Sequence, residues 1–281
     1  MKYVKAPPGW TYTDENPFSE DGKYDFGWSS FCILDEDTDQ FYTGKCKAGP
    51  FSARFGRNVK NLERKLVDFL RYENDNRRQV ILAFPADIDI DEYVNQALKQ
   101  TPRESVIRPE DPPIIVHATT QESWQSIWAD QALKASLHLG EKEWQTGPLT
   151  EIEWYYQHEP PEYRDYIMFG EMDGTTSESI LASKAQGRFV MHAEAEYEPG
   201  IRLYFNNHQL IEAGLGIRDG LHLIKVNQSL PLAPYLLAAI SVDDVDPDGK
   251  VKVWTLKTFV ESANQVFRAR HAESSVCGYP A

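Results

Sequence analysis

The stretch Ile114-Ile115-Val116-His117-Ala118-Thr119, running on through Thr120-Gln121-Glu122-Ser123-Trp124-Gln125-Ser126-Ile127-Trp128, decides how the chain is read. Pro112-Pro113 precede three β-branched apolar residues in a row, the pattern of a buried strand with a marked start. The strand ends on His117 and the chain turns directly into a helix. Thr119 and Glu122 have capping-box spacing, so a hydroxyl and a carboxylate can satisfy backbone donors left open at the helix start. Trp124, Ile127 and Trp128 recur at helical spacing and are expected to face the core. An imidazole therefore stands at one edge of a sheet beside free N–H groups, an arrangement that can hold an anionic ligand. An ordinary buried histidine on a β–α connection fits the same residues.

Around this stretch lies a chain of 281 residues, long enough for one large domain or two modest ones. Its 41% apolar and 26% charged content is that of a soluble globular protein. No apolar run reaches the roughly 18–20 residues of a membrane span, and the N-terminus lacks the apolar core of a secretory signal. Cys32, Cys46 and Cys277 have neither metal-ligand spacing nor the makings of a disulfide framework, so a cytoplasmic setting is expected. The net charge of −14 argues against binding long duplex DNA. Residues 1–40 hold nine Asp/Glu against three Lys, whereas residues 45–78 hold ten Lys/Arg against four Asp/Glu. A local basic surface of that kind can hold one phosphorylated ligand or one RNA end; a solvated helix face explains it equally simply.

Residues 1–50 are aromatic and turn-rich, and are expected to form an ordered N-terminal extension. A first helix is predicted over about 58–71, with Val59, Leu62, Leu66, Phe69 and Leu70 in one stripe and Arg71 at its C-terminal end. Val80 to Phe84 reads as a strand, and Asp89 or Asp91 as the cap of a second helix. The proline-rich run 101–113 marks a domain boundary. Residues 138–165 form a long aromatic loop, of the kind that is usually functional. Tyr166 to Phe169 reads as a strand, and Thr176 or Ser177 as the cap of a helix over 178–184. Strands are expected at 189–195, 201–205, 210–211, 221–226, 238–242 and 251–254, and a last helix over 258–268. This places 1–50 as an extension, 51–110 as a small helical, winged-helix-like domain, and 111–281 as a β-rich domain. The fold class is α+β.

The common phosphate, metalloprotease, hydrolase and paired-cysteine motifs are absent from the sequence. The order of segments is informative instead. Leu62 to Tyr72 fits the frame L-S-K-x-L-S-x-x-L-R-H, with Arg71 on its arginine. Asp87 to Val94 is a loose G-W-V-x-V. His117-Ala118-Thr119 with Trp124, Ile127 and, with a slight length difference, Leu133 resembles H-G-T-x4-W-x2-I-x4-L. Arg164 to Met168 follows R-x-H-I-H, and Gly200 to Tyr204, with Asn206 and Asn207, follows G-I-x-F-Y-x-S-x-N-G-V. Over about 60–225 the chain thus resembles the NAD-dependent RNA 2′-phosphotransferases, within the ADP-ribosyltransferase fold. The resemblance implies an ADP-ribosyltransferase-like domain at 111–281. It also implies transfer of an RNA 2′-phosphate, or of another nucleophile, onto the ribose of NAD with release of nicotinamide.

It assigns catalysis to Arg71, His117, Arg164 and Arg188, and contact with NAD to His117, Thr119, Tyr166, Ser183 and Tyr204, with no metal. The partner implied is tRNA or another RNA end, or a small nucleotide, with no membrane involved. The chain departs from the pattern where Tyr166 and Met168 replace two histidines. It departs again where Gln186 stands in place of the S-G-M-R arginine, a position that Arg188 reaches only by a local shift. Two further readings accommodate these departures. One is a repurposed enzyme acting on aminoacyl-tRNA, as cyclodipeptide synthases do; the other is a catalytically inactive member that binds nucleotide or RNA.

Overall fold

The computed structural model describes residues 1–45, 49–102, 105–135 and 159–276. Its contacts divide the chain into two units. The first comprises Met1–Val106 with Tyr155–Tyr163 and Ile217–Ile224; the second comprises Ile107–Trp154 with Arg164–Gly216 and Lys225–Ala281. The boundary after Val106 falls inside the proline-rich run.

In the first unit, β1 (Val4–Lys5), β2 (Trp28–Ile33), β3 (Phe41–Lys45), β4 (Phe51–Phe55) and β5 (Gln79–Ala83) make one sheet in the order β1-β5-β2-β4-β3. All neighbours are parallel except β3, which returns antiparallel beside β4. Parallel strands need a crossover, and α1 (Leu62–Asp75) supplies it between β4 and β5. Leu66, Phe69 and Leu70 on α1 are fully buried, as are Phe31, Val80, Ile81 and Leu82 on the strands. α2 (Ile90–Gln100) packs on α1, and its N-cap Asp89 accepts from the Glu92 N–H, as the sequence predicts.

Two expectations change here. Residues 1–50 are not an extension, because β2 pairs with both β4 and β5 and so completes the sheet that residues 51–83 begin. For the same reason 51–110 is not a helical, winged-helix-like domain. α1 also starts and ends four residues later than predicted, its start fixed by Asn61 in the left-handed region at φ 55°. Arg71 therefore lies inside the helix.

The second unit begins with β6 (Ile114–Thr119), α3 (Gln121–Asp130) and β7 (Ala132–Lys134). A single 3-10 turn, Pro161–Asp165, leads into β8 (Tyr166–Met168) and β9 (Gly170–Glu171), followed by α4 (Thr176–Gln186) and β10 (Ile201–Asn206). Then come α5 (Asn207–Glu212), β11 (Gly216–Ile217), β12 (Lys225–Asn227), β13 (Ser229–Pro231), β14 (Leu236–Ile240), α6 (Val242–Val245) and α7 (Leu256–Val276). The main sheet has the order β14-β10-β6-β9 and is antiparallel throughout. β8 pairs with β12 and β7 with β13, both antiparallel. Val116, Tyr204 and Ile240 on the main sheet meet Phe259, Ala263 and Phe267 of α7. The Tyr204 and Phe267 rings stack at 4.2 Å.

The sequence misassigned three short segments. Leu210-Ile211 is helical, because the Asn206 side chain accepts from the Gln209 N–H and starts α5. Residues 189–195 and 251–254 form no strand, and one isolated bridge, Glu196 to Thr255, lies one residue beyond each. The chain as a whole is mixed α and β, consistent with an α+β class. Among the described residues, no helix is long and apolar enough to cross a membrane. Most of the aromatic loop at 138–165, including Trp144, Trp154, Tyr155 and Tyr156, lies outside the described residues.

Candidate functional site

β6 positions His117 at register with Leu203 of β10. The imidazole Nδ1 lies 3.0 Å from the Met168 carbonyl oxygen. A carbonyl can only accept, so Nδ1 carries the proton and Nε2 presents a lone pair. The Phe169 ring stands edge-on to the imidazole at 6.0 Å. Burial pushes the His117 pKa below its ordinary value, the Lys184 ammonium adds to that, and the Met168 carbonyl opposes it. The side chain is therefore a neutral hydrogen-bonding group near pH 7. At the strand end Thr119 is buried, and its carbonyl oxygen would lie 1.9 Å from a Cβ on residue 200. Only glycine permits that approach, so Gly200 brings β10 in beside β6.

The helix that follows differs in two details from its expected form. Its N-cap is Thr120 and not Thr119: the Thr120 hydroxyl accepts from the Ser123 N–H at 3.0 Å. Ile127 faces the core, whereas Trp128 is 57% exposed and packs against Trp124 at 5.6 Å between ring centroids. Helical periodicity marks a stripe but does not say how much of it the rest of the fold covers.

The second wall of the site is β8. Its Met168 holds His117 and pairs in register with Lys225 of β12. Lys225 is fully buried, with its Nζ 4.6 Å above the Tyr166 ring. Sequence reasoning passed over Lys225 as one member of an apolar run, although a lone lysine between Ile224 and Val226 was the available signal. A buried amine over an aromatic face is stabilised by the ring quadrupole. Arg164 sits in the 3-10 turn that enters β8, half-buried, and makes no hydrogen bond or ion pair with any described residue.

Met168 is thus brought to His117, with Tyr166 on the same strand as Met168, Arg164 on the turn entering it and Thr119 at the end of β6. Ser183, Tyr204 and Arg188 are engaged elsewhere in the unit. Arg71 belongs to the first unit, where its Nη1 donates to the Pro102 carbonyl at 3.0 Å. The Ser183 hydroxyl accepts from the Val190 N–H at 2.9 Å, which gives it a structural task at the end of α4. Tyr204 is fully buried, and its hydroxyl donates to Asn264 at 2.9 Å, so it is a core residue. Arg188 is exposed and donates to the Gln186 side chain at 2.9 Å.

The unit also contains a buried ion pair that the sequence did not reveal. Arg202 of β10 pairs with Glu178 of α4, both almost wholly removed from solvent. Arg202 also donates to the carbonyls of Met172 at 2.6 Å and Gly174 at 3.3 Å. Burial raises the Glu178 pKa while Arg202 pulls it down. Among the described residues, no cluster of three or more His, Cys, Asp or Glu side chains could hold a metal ion. Compared with known proteins, the chain matches no family model, no curated protein and no solved structure.

Proposed function

We propose that the second unit is an ADP-ribosyltransferase-like transferase resembling the RNA 2′-phosphotransferases. NAD is its co-substrate, an RNA 2′-phosphate or a related nucleophile is its acceptor, and the setting is cytoplasmic. The observation that carries this reading is Arg164, a half-buried arginine with no hydrogen bond or ion pair to a described residue, on the turn into the strand that fixes His117. An arginine fork can take an anion, and phosphate matches its two-point geometry. His117, neutral and with its Nε2 lone pair presented, suits a ribose hydroxyl as donor. Tyr166 offers an aromatic face held from behind by Lys225. In this reading NAD supplies the ribose carbon: the carbon–nicotinamide bond breaks as the incoming phosphate oxygen bonds to that carbon, and nicotinamide leaves with the bond's electron pair.

Calorimetry with NAD, followed by assay of nicotinamide release on adding a 2′-phosphorylated RNA, tests the reading. Binding that Arg164→Ala weakens at least tenfold, with release abolished in His117→Ala, supports it; no NAD binding at millimolar concentration removes it. A second reading is favoured by Gln186, whose amide donates to the Glu196 carbonyl at 3.3 Å while its oxygen takes up Arg188. With those groups tied to each other, an inactive member that only binds nucleotide or RNA predicts NAD binding without nicotinamide release.

A further inference from the structure

The first unit contains a cavity unconnected with the residues above. It measures about 240 Å³ and is lined by Ile33, Arg57, Val59, Leu62, Glu63, Ile88 and Tyr93. Ile33 is the last residue of β2, Arg57 lies two residues beyond β4, and Ile88 and Tyr93 follow β5. The cavity thus sits over the carboxyl ends of three adjacent parallel strands, the edge where open α/β sheets bind their ligands.

Its chemistry is specific. Four aliphatic side chains and a tyrosine ring form the walls, and the charged lining is one guanidinium and one carboxylate. Arg57 is held rigidly from outside the cavity. Its Nε donates to Asp35 at 3.0 Å, and its Nη1 and Nη2 donate to Asp87 at 2.9 and 2.8 Å. Nη2 also reaches Asp35 at 2.8 Å, which leaves one N–H of Nη1 uncommitted. Glu63, on the first turn of α1, and Tyr93, on α2, both line the cavity. At roughly 30 Å³ per water-sized group, the volume holds about eight such groups.

We infer that this cavity binds a small zwitterion with an aliphatic body, a free branched-chain α-amino acid being the matching class. Its carboxylate meets Arg57, its ammonium meets Glu63, and its side chain lies against Ile33, Val59, Leu62 and Ile88. A cation alone leaves the guanidinium N–H unused, and an anion alone faces Glu63 without compensation.

Titration calorimetry of the full chain with L-leucine, isovalerate and isoamylamine tests the inference, because the two analogues each keep one charge on the same hydrocarbon. Leucine is expected to bind at least tenfold more tightly than either analogue. Glu63→Gln, an exposed substitution that spares the fold, should cost leucine and isoamylamine tenfold and leave isovalerate unchanged. Arg57→Gln should weaken leucine and isovalerate, with circular dichroism checking that the sheet is intact. Three results overturn the inference: no saturable binding of leucine in the millimolar range, equal binding of leucine and an analogue, or indifference of leucine to Glu63→Gln. None of them bears on NAD binding by the second unit.

Discussion

Replacing Arg202 by Met removes the cationic partner that Glu178, whose side chain is 1% exposed, has among the described residues. Methionine fills much of the arginine volume, so the main loss is electrostatic. The Met172 carbonyl keeps a donor, Asn264 Nδ2 at 2.8 Å, while the Gly174 carbonyl loses its bond from Arg202. Glu178 must then enter the fold as the neutral acid. In the unfolded chain it titrates near its ordinary 4.5. Each pH unit above that value costs about 1.36 kcal/mol, hence ~3.4 kcal/mol at pH 7 and ~0.7 kcal/mol at pH 5. The upper figure agrees with the ~3–5 kcal/mol typical of breaking a buried ion pair from one side.

The sign follows from the raised folded pKa. Such a carboxyl group favours folding below its unfolded value and opposes folding as pH rises through the folded one. The loss in Arg202→Met should therefore be large at pH 7 and small at pH 5. Urea unfolding at both pH values, with hydrogen exchange of the β10 amides to localise the effect, measures it. Arg202→Met with Glu178→Leu should recover most of the stability, since two apolar groups leave no orphaned charge. An equal loss at both pH values would refute the reasoning. So would a double variant as unstable as the single one.

Three more outcomes follow from the second unit. The folded pKa of His117 lies below 6.5, so its contribution to stability is present above about pH 6.5 and is lost as pH falls. His117→Asn should flatten that slope in urea midpoints between pH 7 and 5. Thr120→Ala should cost about 1 kcal/mol by removing the cap of α3, whereas Thr119→Val leaves the cap intact, as thermal unfolding of each can report. Trp128→Gln should change stability by no more than about 0.5 kcal/mol, while Ile127→Ala on the same helix should cost about 2–5 kcal/mol.

The main elements of the second unit were legible from local patterns. The β-branched run at Ile114 to Val116 and the helix after it required only periodicity and turn chemistry. The helix expected over 178–184 is present as Thr176–Gln186, but neither Thr176 nor Ser177 caps it, since its N-cap is Thr175 and the Ser177 hydroxyl donates to the Val116 carbonyl. Errors fell where two local patterns compete over a few residues. Leu210-Ile211 is as apolar as a strand, yet the Asn206 cap makes it helical. The order of residues along the chain pointed to His117, Tyr166 and Arg164, and the structure sets His117 against the carbonyl of Met168, on the strand that Tyr166 opens. Lys225 and the Glu178–Arg202 pair were missed because each depends on a partner distant in sequence.

By itself the sequence located most of the strands and helices to within a few residues, from β-branched runs, helical periodicity and turn residues. Those properties depend on neighbours within a few residues. Tertiary structure alone decided that residues 1–50 complete a parallel sheet with residues 51–83, because parallel partners are joined by crossovers that carry no local mark. It alone showed what Arg71 and Tyr204 bond to. The guanidinium of Arg71 donates to the Pro102 carbonyl within the first unit, and the Tyr204 hydroxyl is committed to Asn264 on a helix sixty residues away. The stretch from Ile114 to Trp128 fixed a strand, a turn and a helix; what stands opposite His117 was settled by β8, through one carbonyl at Met168.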